Sequence, residues 1–365
     1  MSTQHARFLA TKTVADVLNE KKNNHTLTDI HVTATVEKVF ETLESNGKYL
    51  PISPPKNLPL YGYMGRNGVA WGLGHSLYIL SVPVYRHFNN VKDYVAIIDA
   101  YDLLSALEER GFAVESGSAP DTEFLSMPVA ILVGMTKASS KLWTCQPNLP
   151  LTQLVHRILV LEQIPVRPGD ADTDHDQDDG VETAPQQDPK GRLVSQTDVI
   201  QYLLEHNHEL GPILDTSAEI AAGHALQFSD EYLDTVTADQ LKHTPASITI
   251  NSPAWAALQK MATAHASCVA IVDSNGGLVA EMSAADLRGV NPSRIRDLNR
   301  PVLVYLKTLQ GGELKRPLSC RPQFSLGQLL SGLVLNHGHR SWLLDDEDRP
   351  IGCISLSDVL SVFLD

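Results

Sequence analysis

The sequence predicts an α/β protein built from four repeats of an α-β-β-α unit. The main observation is an apolar run that breaks at a small polar residue and is followed three positions later by an Asp that opens a helix. The pattern ends at Asp102, Asp198, Asp286 and Asp358, which are 96, 88 and 72 positions apart. The chain has 365 residues, of which 43% are hydrophobic, and this is enough to form cores. A single unit of this kind buries one face only, so the repeats are expected to pair.

Repeat 1 is predicted over residues 1–110, with a long Gly/Pro-rich insertion at residues 54–76. Apolar spacing predicts a helix, two candidate strands, a further strand and a second helix, at Val36–Leu43, Tyr49–Ser53, Leu77–Tyr85, Tyr94–Ile98 and Asp102–Glu109. The sequence leaves open which of the two candidate strands is the central one.

Repeat 2 is predicted over residues 120–206. Helical spacing covers Leu151–Leu161, and a short strand is expected at Ile164–Val166. Residues 168–189 then contain eight acidic residues and no Lys or Arg, which predicts a disordered acidic loop within the hairpin.

A linker at residues 207–240 precedes repeat 3, predicted over residues 241–290, and repeat 4, predicted over residues 291–365. Both repeats have a helix, a hairpin with a polar turn, and a second helix that begins at a Ser. The predicted strands are Cys268–Val272 and Leu278–Met282 in repeat 3, and Ser341–Leu344 and Pro350–Ile354 in repeat 4.

Composition excludes several classes of function. The net charge is −14, and it argues against a nucleic-acid partner because the phosphate backbone requires a basic surface. No apolar stretch reaches about 18 residues, so no membrane association is expected, and the protein is predicted to be cytoplasmic or nuclear. The four cysteines are widely spaced, which predicts reduced thiols and no metal site.

Three stretches resemble the cystathionine-β-synthase (CBS) repeat family. In repeat 4, His339-Arg340 precedes an apolar strand and an acidic turn, and Gly352 leads into Ser355-Leu356-Ser357-Asp358, as is typical of that family. Residues 267–273 resemble its Ser-Ala-Leu-Pro-Val-Val-Asp element, and residues 46–51 resemble its Asn-Gly and Arg-Ala-Ala-Pro elements, with Lys48 in the Arg position. The resemblance implies four CBS repeats paired into two Bateman modules.

In this family the Ser/Thr-x-x-Asp element binds a nucleoside ribose, because a carboxylate can accept hydrogen bonds from both vicinal hydroxyls. The resemblance therefore implies ribose-binding roles for the pairs Ser195/Asp198, Ser283/Asp286 and Ser355/Asp358. The alternative is that each pair only caps a helix, since the spacing also fits a capping box. In repeat 1, Asp99 replaces the Ser beside Asp102, and the added negative charge predicts a weak or empty site.

Phosphate groups require fixed positive charge, for which His339, Arg340 and Lys48 are the candidates. Four CBS repeats without a catalytic domain resemble the gamma regulatory subunits of AMP-activated, SNF1-type protein kinases. That resemblance implies a non-enzymatic subunit that binds AMP, ADP or ATP as regulatory ligands, and that has kinase catalytic and beta-type subunits as partners. The alternative is a scaffold of the same fold with degenerate pockets. No nucleophile–base motif is present, so no catalytic residue or catalytic cofactor is expected.

Overall fold

The computed structural model describes residues 3–21, 27–45, 81–109, 123–153, 158–161, 191–221, 245–287 and 292–364. In these residues the strands form four three-stranded sheets with one common topology. The first strand of each sheet is short and runs parallel to the second, and the second pairs with the third in an antiparallel hairpin. The common topology supports the prediction of four equivalent units.

The strands follow in chain order, three to each sheet. They are β1 Ile30–His31, β2 Ser81–Phe88, β3 Val91–Asp99, β4 Thr144–Cys145, β5 Ile158–Leu161, β6 Gly191–Val194, β7 Ser247–Thr249, β8 Cys268–Val272, β9 Leu278–Ser283, β10 Ser319–Cys320, β11 Arg340–Leu344 and β12 Pro350–Ser355.

The helices flank these sheets. The α-helices are Gln4–Ala10, Val14–Glu20, Val36–Ser45, Ala100–Glu109, Glu123–Ser126, Gln196–Glu205, Asn207–Leu210, Ala254–Thr263, Pro292–Asp297, Val302–Leu309, Leu326–Leu335 and Leu356–Leu364, and 3₁₀ turns lie at Val129–Leu132, Leu151–Gln153, Gly211–Asp215 and Ala284–Leu287. Within the part of the chain that the structure describes, none of the helices has the length and apolar character needed to span a bilayer.

In repeat 1 the central strand is β2, which overlaps the later of the two candidate strands over residues 81–85. β2 and β3 are joined at Asn89 and Asn90, which both have positive φ angles. Asn tolerates this conformation better than most residues, and two such residues suit a tight hairpin turn. Tyr49–Ser53 and the insertion at 54–76 lie outside the described residues.

In repeat 2 the helix predicted for Leu151–Leu161 is wrong in its second half. Leu151–Gln153 forms one 3₁₀ turn, and Ile158–Leu161 forms β5, which pairs with β4 and β6. A short run of Ile, Leu and Val is compatible with either a helix or a strand, and pairing with two neighbouring strands decides for the strand. Ile164–Val166 and the acidic loop lie outside the described residues.

In repeats 3 and 4 the predicted hairpins are confirmed to within a residue or two. Each hairpin turn is organised by an Asp. Asp273 Oδ1 accepts the backbone N–H groups of Asn275 and Gly277, at 2.8 and 2.9 Å. Asp345 Oδ1 accepts those of Glu347 and Arg349, at 3.0 and 2.9 Å. These bonds stabilise the tight turns that the sequence predicts.

Sheet faces bring the repeats together in sequential pairs. Tyr94 and Ile97 of repeat 1 pack against Leu142 and Leu193 of repeat 2. In the second half, Cys268 and Ala270 of β8 pack in one buried cluster with residues of β11 and β12, namely Trp342, Leu344 and Cys353. The pairing of repeats 1 with 2 and 3 with 4 is the arrangement of two Bateman modules.

Helices join the two modules through two larger cores. One core consists mainly of residues of repeats 1 and 3, including the fully buried Phe40, Leu103 and Leu258. It also contains Phe124 and Tyr305, from the first parts of predicted repeats 2 and 4. The other combines repeats 2 and 4, including Leu203 and Leu330. The buried hydrophobic side chains supply the main favourable term in folding, since burying one Leu or Phe contributes about 1.5–3 kcal/mol.

The second core also contains two segments that the sequence did not assign to repeat 2 or 4, namely the start of predicted repeat 1 and the start of the predicted linker. The helices Gln4–Ala10 and Val14–Glu20 contribute Leu9 and Leu18 to it. The start of the predicted linker contributes Leu210 and Ala218. The repeat boundaries themselves stay a prediction, but this packing makes both segments part of the folded unit.

Candidate functional site

The Ser-x-x-Asp pairs of repeats 2, 3 and 4 form the same local structure at the end of the last strand. In each pair one carboxylate oxygen, Oδ2, accepts hydrogen bonds from the backbone N–H and the hydroxyl of the Ser. The two distances are 2.8 and 2.7 Å for Asp198, 2.7 and 3.0 Å for Asp286, and 2.6 and 2.7 Å for Asp358. The hydrogen-bond geometry fits the capping alternative, and all of these bonds end on one oxygen of the carboxylate.

A fifth copy of this motif lies near the N-terminus, and it was missed from the sequence. Asp16 Oδ2 accepts the backbone N–H and hydroxyl of Thr13, at 2.7 and 2.9 Å. The backbone hydrogen bond is the main reason that the pKa of Asp16 lies below its ordinary value. The signal was available, because Thr13-Val14-Ala15-Asp16 has the same spacing as the other pairs.

The carboxylate of repeat 2 is bound by a lysine from the N-terminal segment. Lys21 Nζ lies 2.9 Å from Asp198 Oδ2 and also donates to the carbonyl of Leu193 at 2.9 Å. Both charged side chains are largely shielded from solvent. A ribose at this position would therefore compete with a cation of the chain itself.

The carboxylate of repeat 1 is occupied by two hydroxyl groups. Asp102 is buried, and its Oδ1 accepts hydrogen bonds from Thr136 and Ser139 at 2.7 and 2.5 Å, while Oδ2 accepts the backbone N–H of Asp99 at 2.8 Å. Burial, followed by the neighbouring Asp99 carboxylate, raises the pKa of Asp102 to about 6. The hydroxyls of residues 136 and 139 thus already use Oδ1 of this carboxylate as their acceptor.

Repeats 3 and 4 bring a cation close to the carboxylate of repeat 3. Arg340 begins β11 and pairs with Ser355 of β12. Its half-buried side chain is electrostatically coupled to Cys268, Glu281, Cys353 and Asp286. Burial alone would lower the pKa of the guanidinium, but these groups together raise it above its ordinary value. The guanidinium therefore stays protonated.

Glu281 is a second carboxylate beside Arg340 at the interface between repeats 3 and 4. Its carboxylate accepts the indole N–H of Trp342, which is buried. Burial raises the pKa of Glu281, while Arg340 and the bond from Trp342 act in the opposite direction. The interface between repeats 3 and 4 thus combines one guanidinium with the carboxylates of Asp286 and Glu281.

His339 and Lys48 are the other two candidates for phosphate binding. His339 is half-buried, and its carbonyl accepts the backbone N–H of Leu356 at 3.2 Å, which fixes the start of the last helix. Lys48 lies outside the described residues. In the described ranges, no three His, Cys, Asp or Glu side chains are grouped so that they could hold a metal ion.

Comparison with known proteins identifies one domain and several similar chains. Residues 312–365 match the family model described as the CBS domain. Two relatives from Arabidopsis thaliana are named SNF1-related protein kinase regulatory subunit gamma-like PV42b and PV42a. The first is 22% identical over 306 residues, which cover 74% of this chain and 76% of the relative. The second is 23% identical over 359 residues, which cover 92% of this chain and 91% of the relative.

A solved structure supports the fold independently. The crystal structure of protein MJ1225 from Methanocaldococcus jannaschii, described as a candidate archaeal homologue of g-AMPK, matches with a TM-score of 0.54 at 14% identity. The match covers 93% of this chain and 97% of that chain. The expected resemblance to CBS-repeat proteins is confirmed, and the α/β fold of paired units is confirmed with it.

Proposed function

We propose that this CBS-domain protein is a regulatory subunit that binds one adenine nucleotide between repeats 3 and 4. The observation that carries the proposal is the half-buried guanidinium of Arg340, which interacts electrostatically with the Asp286 carboxylate across the interface between the two repeats. A nucleoside phosphate needs a carboxylate for its ribose hydroxyls and a cation for its phosphate, and these two residues provide both.

The pair Ser283/Asp286 is proposed to bind the ribose, and Arg340, with His339 beside it, to bind the phosphate. Asp286 Oδ2 accepts both hydrogen bonds from Ser283. Its Oδ1 can accept a hydrogen bond from a ribose hydroxyl while the cap stays intact. Asp358 and Ser355 offer the same corner in repeat 4. The two hairpins pair Arg340 with Ser355 and Cys268 with Ser283, so the residues of repeat 3 that correspond to His339 and Arg340 are Ser267 and Cys268. These two positions supply no equivalent cation for the corner of repeat 4.

The sites in repeats 1 and 2 are proposed to be closed by the chain itself. Lys21 is bound to Asp198, and Thr136 and Ser139 are bound to Asp102. Displacing these groups would leave a charge without its partner in a partly or fully buried position, which is costly. Lys48 stays an untested candidate for phosphate binding.

The regulatory role follows from the place of the proposed site between two repeats. A nucleotide that contacts both repeats stabilises one arrangement of the module, and it can shift the population by as much as its affinities for the two states differ. The names of the Arabidopsis relatives support a protein kinase as the regulated partner, through its catalytic and beta-type subunits. AMP, ADP and ATP are the ligands to test. The absence of a nucleophile–base motif in the sequence supports a regulatory rather than a catalytic role.

Thermal melting of the full chain tests nucleotide binding. A ligand at 100 times its Kd stabilises the folded state by about 2.7 kcal/mol, which corresponds to a rise in Tm of roughly 3 °C for a chain of this size. We expect AMP, ADP or ATP to raise Tm by such an amount, and Asp286→Ala and Arg340→Gln to abolish the shift.

Each of these two variants has a matched control, which changes the same type of residue away from the proposed site. Asp16→Ala removes a cap of the same geometry, and Arg300→Gln removes an exposed arginine paired with Asp297. Both controls are expected to keep the shift. The proposal is wrong if no adenine nucleotide raises Tm, or if the shift in Tm survives in both Asp286→Ala and Arg340→Gln. In that case the scaffold function, which the closed sites of repeats 1 and 2 favour, becomes the better account.

Co-purification tests the kinase role separately. The chain is expected to retain kinase catalytic and beta-type subunits on affinity purification from cells. Nucleotide binding without these partners would place the regulatory role on another target.

A further inference from the structure

Two cysteines from different repeats are in contact at the interface between repeats 3 and 4. Cys268 begins β8 and Cys353 lies in β12, and their sulfur atoms are 3.8 Å apart. They are 85 residues apart in sequence, so their contact depends on the packing of the two repeats against each other. Cys268 is buried and Cys353 is half-buried, in a cluster that also contains Trp342 and Leu344.

The environment of this pair differs from that of the other two cysteines. The hydrogen bond with Cys353, and then the charge of Arg340, lower the pKa of the Cys268 thiol, although burial opposes them. The same hydrogen bond raises the pKa of Cys353. For Cys145 and Cys320, burial raises the pKa. The thiolate is the reactive form, so Cys268 is the more reactive member of a pair that already has a second thiol in contact.

We propose that Cys268 and Cys353 form a reversible disulfide that links repeats 3 and 4, with a hydroperoxide as the oxidant. The Cys268 thiolate attacks the peroxide, the O–O bond breaks, and Cys268 becomes a sulfenic acid while the other oxygen leaves as water or an alcohol. The Cys353 thiol then displaces the hydroxyl as water and the S–S bond forms. Each sulfur loses one electron, and the peroxide gains both.

The sulfur atoms must come closer for the bond to form. A disulfide has an S–S length of about 2.04 Å, so the two sulfurs must approach each other by roughly 1.8 Å, starting from 3.8 Å. The bond would connect a strand of repeat 3 to a strand of repeat 4 beside Arg340 and Glu281. Oxidation would therefore fix the spacing of the two repeats, and a reductant would release it.

Peptide mapping of the full chain tests this inference without any nucleotide. After treatment with hydrogen peroxide, we expect a non-reduced peptide that links Cys268 to Cys353, and its disappearance on reduction with dithiothreitol. The link closes a long loop, so Tm should rise on the order of 5 °C in the oxidised protein. Cys268→Ser and Cys353→Ser should each abolish the linked peptide and the rise in Tm, whereas Cys145→Ser should keep both.

Two results would overturn the inference. One is the absence of the linked peptide at peroxide concentrations that oxidise Cys145. The other is oxidation of Cys268 or Cys353 to sulfinic acid without any link between them, which would show that the two thiols react independently.

Discussion

Burial of the Asp102 carboxylate predicts that this residue makes the protein more stable in mild acid. The pKa of Asp102 in the folded state is about 6, against an ordinary value of 3.8. The folded state therefore binds the proton more tightly than the unfolded state does, and protonation favours folding. The contribution is complete below pH 3.8 and is lost as the pH rises through 6.

The size of the effect follows from the two pKa values. A difference of about two pKa units corresponds to about 3 kcal/mol in full, of which roughly 2 kcal/mol is gained between pH 7 and pH 4. Asp102→Asn removes the titrating group and keeps an oxygen that can accept the hydroxyls of Thr136 and Ser139. The free energy of unfolding of the wild type, minus that of this variant, should rise by that amount on acidification.

Urea unfolding of both proteins at pH 4, 5, 6 and 7 measures this difference, because the other titrating groups cancel. Asp16→Asn provides a control of opposite sign. The pKa of Asp16 is lowered by its bond from Thr13, so its contribution is present at neutral pH and is lost as the pH falls. A flat wild-type-minus-Asp102→Asn difference from pH 7 to pH 4, or one that falls on acidification, would refute the reasoning.

Three further variants test other parts of the structure. Glu281→Gln removes a negative charge beside Arg340, so AMP affinity measured by calorimetry should rise by about fivefold, and an unchanged Kd would contradict this role. Lys21→Met leaves Asp198 without its cation, which should lower the free energy of unfolding in urea by about 1 kcal/mol; no loss would mean that the contact is dispensable. Phe40→Ala should cost about 3–5 kcal/mol in the same assay, and a loss below 1 kcal/mol would exclude the described packing of the core shared by repeats 1 and 3.

The sequence predicts repeats 3 and 4 well because all of their signals are local. In both, the strands are short apolar runs and the turn contains an Asp that binds the backbone of the turn. Ser325 is the N-cap of the helix Leu326–Leu335, and its capping box with Gln328 fixes the start of this helix. Each of these elements could be located from the residues that immediately surround it.

Repeats 1 and 2 are harder because their local signals are weaker or ambiguous. The run that ends at Leu161 fits helical spacing, and only its pairing with β4 and β6 makes its last part a strand. In repeat 1 the sequence does contain a signal for the hairpin. Asn89-Asn90 lies between two apolar runs, and this pair favours a tight turn.

The contacts that distinguish the four corners could not be predicted from the sequence. Lys21 lies 177 residues from Asp198, and Thr136 and Ser139 lie 34 and 37 residues from Asp102. Motif spacing locates a carboxylate at each corner, but it carries no information about which side chain of another segment bonds to that carboxylate. The proposal of one open site among four therefore depends on the three-dimensional structure.

Isothermal titration of AMP into the full chain tests the central claim most directly, because it measures both stoichiometry and affinity. The account predicts one molecule bound per chain and a Kd that rises roughly 10- to 150-fold in Arg340→Gln, the range expected for a lost charge-assisted hydrogen bond. Arg300→Gln should bind as the wild type does. Binding of three molecules per chain, or a Kd that does not change in Arg340→Gln, would contradict the account.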